Sequence, residues 1–188
     1  MTSATANNNR FHPLKFGLWL GIASIIMLFA SLTSAYIVRK AQGNWVEFGM
    51  PPVFWINTAV ILLSSFTMHW ALNSFRRFKE GTYRIALFIT FVLGVLFLAG
   101  QYYGWLDLAN RGIYIDGNPS GSFVYAISGV HAVHILGGLV FMLVMLIRAM
   151  IRRFNPNRLT GVQMMATYWH FVDVLWIYLF IFFQINLS

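Results

Sequence analysis

The chain has 188 residues, of which 59% are hydrophobic, 18% aromatic and 10% charged; an ordinary soluble domain carries about 25% charged residues, so a water-soluble globule is excluded. Disorder fails on the same numbers, because 18 Phe, 8 Tyr and 7 Trp are the reverse of the aromatic-poor composition that keeps a chain unfolded. The net charge is +8 and there is no cysteine: disulfides, thiolate metal sites and iron-sulfur ligation are dismissed, and because the basic residues gather between apolar runs they read as membrane topology, with no nucleic-acid partner expected.

Residues 1–12 are polar with one Arg, and the apolar run that follows is too long for the h-region of a signal peptide, which predicts a short cytoplasmic tail and no cleaved signal. Spans are expected at about 16–38, 53–75, 85–106, 123–147 and 164–185, each long enough to cross a bilayer, which takes about 20 residues. Pro51-Pro52, Asp116-Gly117-Asn118-Pro119 and Asn155-Pro156-Asn157 supply turn signals between them. The first four runs are uncharged, whereas the fifth carries His170 and Asp173, residues that are costly inside a membrane and therefore informative. The expected fold is an all-α integral membrane protein, a five-helix bundle forming one domain over residues 1–188. No internal repeat and no midplane Gly/Pro break of the transporter kind is evident. Gly17/Gly21 and Gly100/Gly104 have the spacing that lets helices approach closely.

Five spans put the two termini on opposite sides. One side holds Arg10, Lys15, Arg76, Arg77, Lys79, Arg84, Arg148, Arg152, Arg153 and Arg158, ten in all; the other holds Arg39, Lys40 and Arg111. By the positive-inside rule the N-terminus is cytoplasmic and the C-terminus outside.

Within the spans the polar residues are His69, Gln101, His131, His134, His170 and Asp173, with Asn57, Thr58, Ser64 and Ser65 able to bond neighbouring backbone. His131 and His134 are three residues apart, as are His170 and Asp173, so each pair shares a helix face. Four membrane histidines raise a haem held by two of them. At a rise of 1.5 Å per residue, however, His134 lies roughly 20 Å from the cytoplasmic end of its span, and His69, His170 and Asp173 about 10 Å from theirs. That leaves His69 with His170, on helices that need not touch; interhelical hydrogen bonds are the plainer reading. With one carboxylate in the spans a di-metal site is dismissed, and no nucleophile elbow, phosphate loop or zinc motif appears. Trp45, Trp55, Trp105 and Trp169 are expected as interfacial anchors. Asp173 needs a partner or a proton, with His170 one turn away as the nearest candidate, in a structural bond or a proton relay.

The string YWHFVDVLW, Tyr168 to Trp176, resembles the signature of the last helix of subunit III of the haem-copper cytochrome c oxidases. GSFVYAISGVHAVHILGG, Gly121 to Gly138, is similar to that family's preceding helix, with His131 and His134 at its H-x-x-H; NTAVILLSS (Asn57 to Ser65) and ALFITFVLGVLFLAGQ (Ala86 to Gln101) resemble family helices in the same order. The matches run through nearly all of the chain from Trp19 onward, most specifically in the last two helices, and fit the family's five-helix form.

The resemblance implies an accessory subunit of a terminal oxidase that reduces dioxygen to water and pumps protons, set in a bacterial inner membrane. It implies subunit I as a direct partner, with subunit II and further small subunits in the complex. Haem and copper would belong to those partners and none to this chain, which would have no catalytic centre of its own. Its implied roles are support of proton uptake, stability of the complex and phospholipid binding, the last through Arg148, which matches a family arginine at the cytoplasmic end of the H-x-x-H helix. Two departures stand out: Ile25 replaces the family's buried Glu in WLGIASI, Trp19 to Ile25, so that His134 needs another partner, and Gly104 takes the place of the carboxylate commonly found after the Gln of the third helix. The other readings are a small free-standing transporter or lipid-binding protein, or a b-type cytochrome.

Overall fold

A bilayer offers the backbone no hydrogen-bond partner but itself, so long uncharged apolar runs close into helices. The computed structural model describes residues 13–151 and 159–187, which form five α-helices and, among the described residues, no strand: α1 Pro13–Lys40, α2 Val53–Arg76, α3 Glu80–Asn110, α4 Pro119–Ile151 and α5 Leu159–Leu187. The expected N-terminal tail, the Asn155-Pro156-Asn157 turn, and Arg10, Arg152, Arg153 and Arg158 lie outside the described residues.

Most of the helices outrun their apolar runs, because helical hydrogen bonding continues into the polar layers where charged side chains are solvated. α3 begins at Glu80, whose carboxylate pairs with Arg84 one turn on. It ends where Gly112, at φ +79°, turns the chain and the Ile113 N–H reaches back 3.0 Å to the Leu108 carbonyl, a left-handed cap that glycine adopts without steric cost. α4 starts at Pro119, whose ring fixes the helical φ, and Asn118 caps it by accepting the Ser120 N–H at 3.0 Å. α5 starts at Leu159, five residues before the expected 164. Asp173 therefore stands about 21 Å along its helix, deeper than the sequence places it.

α2, α3, α4 and α5 form a ring in which each backbone packs against two neighbours, and α1 lies outside it against α4 and α5. The core is richest on α5, where Met165, Trp169, Val172, Trp176, Leu179 and Phe183 are buried at the three- and four-residue spacing of one helix face. Of the two small-residue pairs, Gly100/Gly104 closes a contact: a Cβ on Gly100 would stand 1.9 Å from Oδ1 of Asn57, whose amide donates to the Phe97 carbonyl at 3.2 Å. Gly17 and Gly21 have nothing within 4 Å of such a carbon. α1 is fastened at its C-terminal end, where Lys40 Nζ donates to the Asn186 carbonyl at 2.6 Å and the Tyr178 hydroxyl to Thr33 at 3.2 Å. The end of α1 therefore lies beside the end of α5, and the two termini of the bundle lie at opposite faces.

Candidate functional site

The polar side chains of the interior fall into two groups. The first is the seam between α2 and α5. Ser64 and Thr58 satisfy their own hydroxyl protons one turn back, on the carbonyls of Ile61 and Phe54, both at 2.8 Å. Their oxygens are left to accept from α5: the Trp169 indole donates to Ser64 at 3.0 Å and the Trp176 indole to Thr58 at 3.1 Å. Next to the Ser64 bond the Ser65 hydroxyl meets Nδ1 of His170 at 2.6 Å. Asp173 is buried, 2% exposed, and beside Ser65, but neither of its carboxyl oxygens has a hydrogen-bond partner.

The sequence makes His170 the nearest partner for Asp173. The structure instead gives the His170 ring to Ser65 across the seam, because α2 packs its serine within hydrogen-bond reach of Nδ1. His69 is exposed on the outer side of α2, and its ring centroid is 6.4 Å from that of His170. These two helices do pack together, which the sequence left open. Trp169 corrects a sequence expectation: it is fully buried rather than an interfacial anchor, because α5 starts earlier and carries it ten residues into the helix. A Cβ on Gly94 of α3 would stand 2.8 Å from its ring, so glycine makes the room that the indole fills. Of the remaining three, Trp55 is exposed, while Trp45 and Trp105 are half-buried; Trp105 donates its indole proton to Ser128 at 3.0 Å.

The second group is the H-x-x-H pair on α4. His131 is fully buried in a cage of rings from three other helices: Phe29 of α1 at 6.2 Å, Phe97 of α3 at 5.9 Å and Trp176 of α5 at 5.2 Å between centroids. Neither of its ring nitrogens is hydrogen-bonded. His134 is half-buried, and Nδ1 lies 2.8 Å from the Val130 carbonyl; since a carbonyl only accepts, this nitrogen carries the proton. Its partner in place of a first-helix carboxylate is thus its own backbone, and Ile25 packs against the apolar core. Phe29 stands edge-on to both histidines, at 5.6 Å from His134, which fixes α1 against α4. Gln101 of α3 is fully buried with its amide unpaired.

Arg148 is exposed in the last turn of α4, where a cation faces the negative end of the helix dipole. No three of His, Cys, Asp and Glu among the described residues come together in a way that would hold one metal ion.

The role of Ser65 and the burial of Trp169 were missed in the sequence. The heptad of large residues on α5 from Met165 to Phe183 carried a signal for the second, because it assigns Trp169 and Trp176 to one packed face. For Ser65 no signal existed, since its partner lies 105 residues away in sequence.

The family model for cytochrome c oxidase subunit III matches residues 3–186. A Nocardia farcinica protein named "Probable cytochrome c oxidase subunit 3" is 33% identical over 186 residues, covering 96% of this chain and 91% of its own. The cytochrome c oxidase subunit 3 of Corynebacterium diphtheriae is 31% identical over 199 residues, covering 96% and 97%, and that of Drosophila yakuba 31% over 179 residues, covering 89% and 67%. With the H-x-x-H helix and the Tyr168 to Trp176 segment packed side by side in a five-helix bundle, and a match over nearly its whole length, the chain belongs to the cytochrome c oxidase subunit III family.

Proposed function

We propose that the chain acts as the non-redox accessory subunit III of a haem-copper oxidase, packed directly on subunit I in a bacterial inner membrane, with its N-terminus in the cytoplasm. Haem and copper sit in the partner subunits, and neither electrons nor dioxygen pass through this bundle. The observation that carries this reading is the use made of the interior polar side chains. Ser64, Ser65 and Thr58 are committed to Trp169, His170 and Trp176 across the seam between α2 and α5, and His131 is enclosed by aromatic rings, so these groups hold helices together. The basic side chains of the described residues support the orientation: Lys15, Arg76, Arg77, Lys79, Arg84 and Arg148 lie on the side where α1 begins, and Arg39, Lys40 and Arg111 on the other. Arg148, exposed at the inner end of α4, holds a phospholipid phosphate.

The test is controlled removal of the subunit from the purified oxidase. The haem absorption bands of the remaining complex should stay intact while proton uptake slows and the enzyme inactivates after fewer turnovers. Loss of a haem band with the subunit would contradict the reading.

A further inference from the structure

Two side chains at the middle of the contact between α3 and α4, Gln101 and His131, are polar and fully buried. Neither amide atom of the first and neither ring nitrogen of the second has a hydrogen-bond partner within the bundle. Gln101 is nine residues from the end of α3 at Asn110, and His131 twelve from the start of α4 at Pro119, about 14 and 18 Å along their helices. That depth is the middle of a hydrocarbon layer about 30 Å thick, where lipid supplies no hydrogen bond and an unpaired polar group is costly.

Helix register brings the two together. α3 and α4 are antiparallel: a Cβ on Gly94 would meet Leu139 at 2.8 Å near one end of their contact, and Trp105 donates to Ser128 at 3.0 Å near the other. Gln101 lies between Gly94 and Trp105, which sets it at the level of His131 on the facing helix. It shares a helix face with Phe97 and Trp105, each four residues away, and these are the rings that reach His131 and Ser128 on α4.

The other polar groups around this level are engaged elsewhere. Ser128 donates to the Val124 carbonyl at 2.6 Å and accepts from Trp105. The Asn57 amide donates to the Phe97 carbonyl at 3.2 Å, and the Trp176 indole to Thr58 at 3.1 Å. The rings of Phe29 and Phe97, which help to enclose His131, have nothing to offer its nitrogens. A neutral imidazole carries one N–H and one acceptor nitrogen, and a carboxamide carries a donor and an acceptor at one end. A small molecule that both gives and accepts hydrogen bonds can therefore join them, and a buried water ordinarily makes about three such bonds.

We propose that Gln101 and His131 bind one water molecule between them at the middle of the membrane. The water takes its bonds from the Gln101 carboxamide and one ring nitrogen of His131, and it ties α3 to α4 as the bond from Trp105 to Ser128 does one turn away. The site lies inside the bundle and is the same whatever partners surround it.

A high-resolution electron cryo-microscopy map of the intact assembly, purified through this chain, tests it. The wild-type map should show one solvent peak at about 2.7–3.2 Å from both a carboxamide atom of Gln101 and a ring nitrogen of His131. The Gln101→Leu/His131→Phe variant, which removes both polar ends, should lose that peak. In thermal inactivation the two substitutions should be coupled, the second shortening the half-life by a smaller factor in the presence of the first than alone. No solvent peak between the two wild-type side chains, a peak that persists in the double variant, or losses that multiply independently would each overturn the proposal. Should the double variant fail to assemble, the wild-type map decides alone.

Discussion

The Ser65 hydroxyl meets Nδ1 of His170 at 2.6 Å, joining α2 to α5 beside an Asp173 carboxyl that has no hydrogen bond of its own. The bond that joins α2 to α5 here is thus made by the histidine, and the acid one turn on lies within reach of the same Ser65 hydroxyl. Side-chain hydrogen bonds between membrane helices contribute about 0.6 kcal/mol on average and up to about 1.7. An ionised carboxylate in a span costs about 2.5–3.5 kcal/mol on insertion scales.

Ser65→Ala should therefore lower the thermal stability of the assembled complex by about 1 kcal/mol, while Asp173→Asn, which keeps shape and hydrogen-bonding capacity, should assemble and turn over nearly as wild type. Thermal inactivation and proton-uptake rates on the purified complex measure both. A fully assembled Asp173→Asn complex with severalfold slower proton uptake would replace the structural role of Asp173 with a proton-carrying one.

Ser64 and Trp169 should be energetically coupled. Trp169→Phe keeps most of the packing against α3 but removes the indole donor, and Ser64→Ala removes the acceptor. A double-mutant cycle should return a coupling of about 0.6–1.7 kcal/mol; strictly additive losses would show that the 3.0 Å bond contributes nothing.

The five spans, their order and the family strings of α4 and α5 were legible because hydrophobic runs and fixed local strings carry them. Most helix starts were not, that of α2 at Val53 excepted: Leu159 to Gln163 is not an apolar run, and the helix there follows from continued backbone hydrogen bonding, which composition does not record. That shift of five residues is why Trp169 read as an anchor. The histidines were found as candidates, but their partners were legible only where local. The Val130 carbonyl, one turn from His134, is a neighbour any helix provides, whereas Ser65 reaches His170 only after α2 and α5 have packed.

Orientation can be read directly, since the chain has no cysteine. Gln42→Cys, exposed after α1, should react with an impermeant thiol reagent in intact cells, and Lys79→Cys, exposed between α2 and α3, should react only after lysis. The reverse pattern would invert the bundle.

Arg148→Ala should leave the oxidase assembled but with a reduced occupancy of one tightly bound phospholipid. One basic residue near an anionic headgroup contributes about 1 kcal/mol, so partial rather than complete loss is expected. An unchanged lipid complement after extraction and quantification would reduce Arg148 to a topology signal.

The most direct test of the central claim is affinity purification of this chain from native membranes, followed by an optical spectrum and identification of the associated chains. Oxidase subunits I and II should come with it, together with their haem bands, and those bands should remain with the partners when this subunit is dissociated. Recovery of the chain alone without haem, or of haem bound to the isolated chain, would contradict the account.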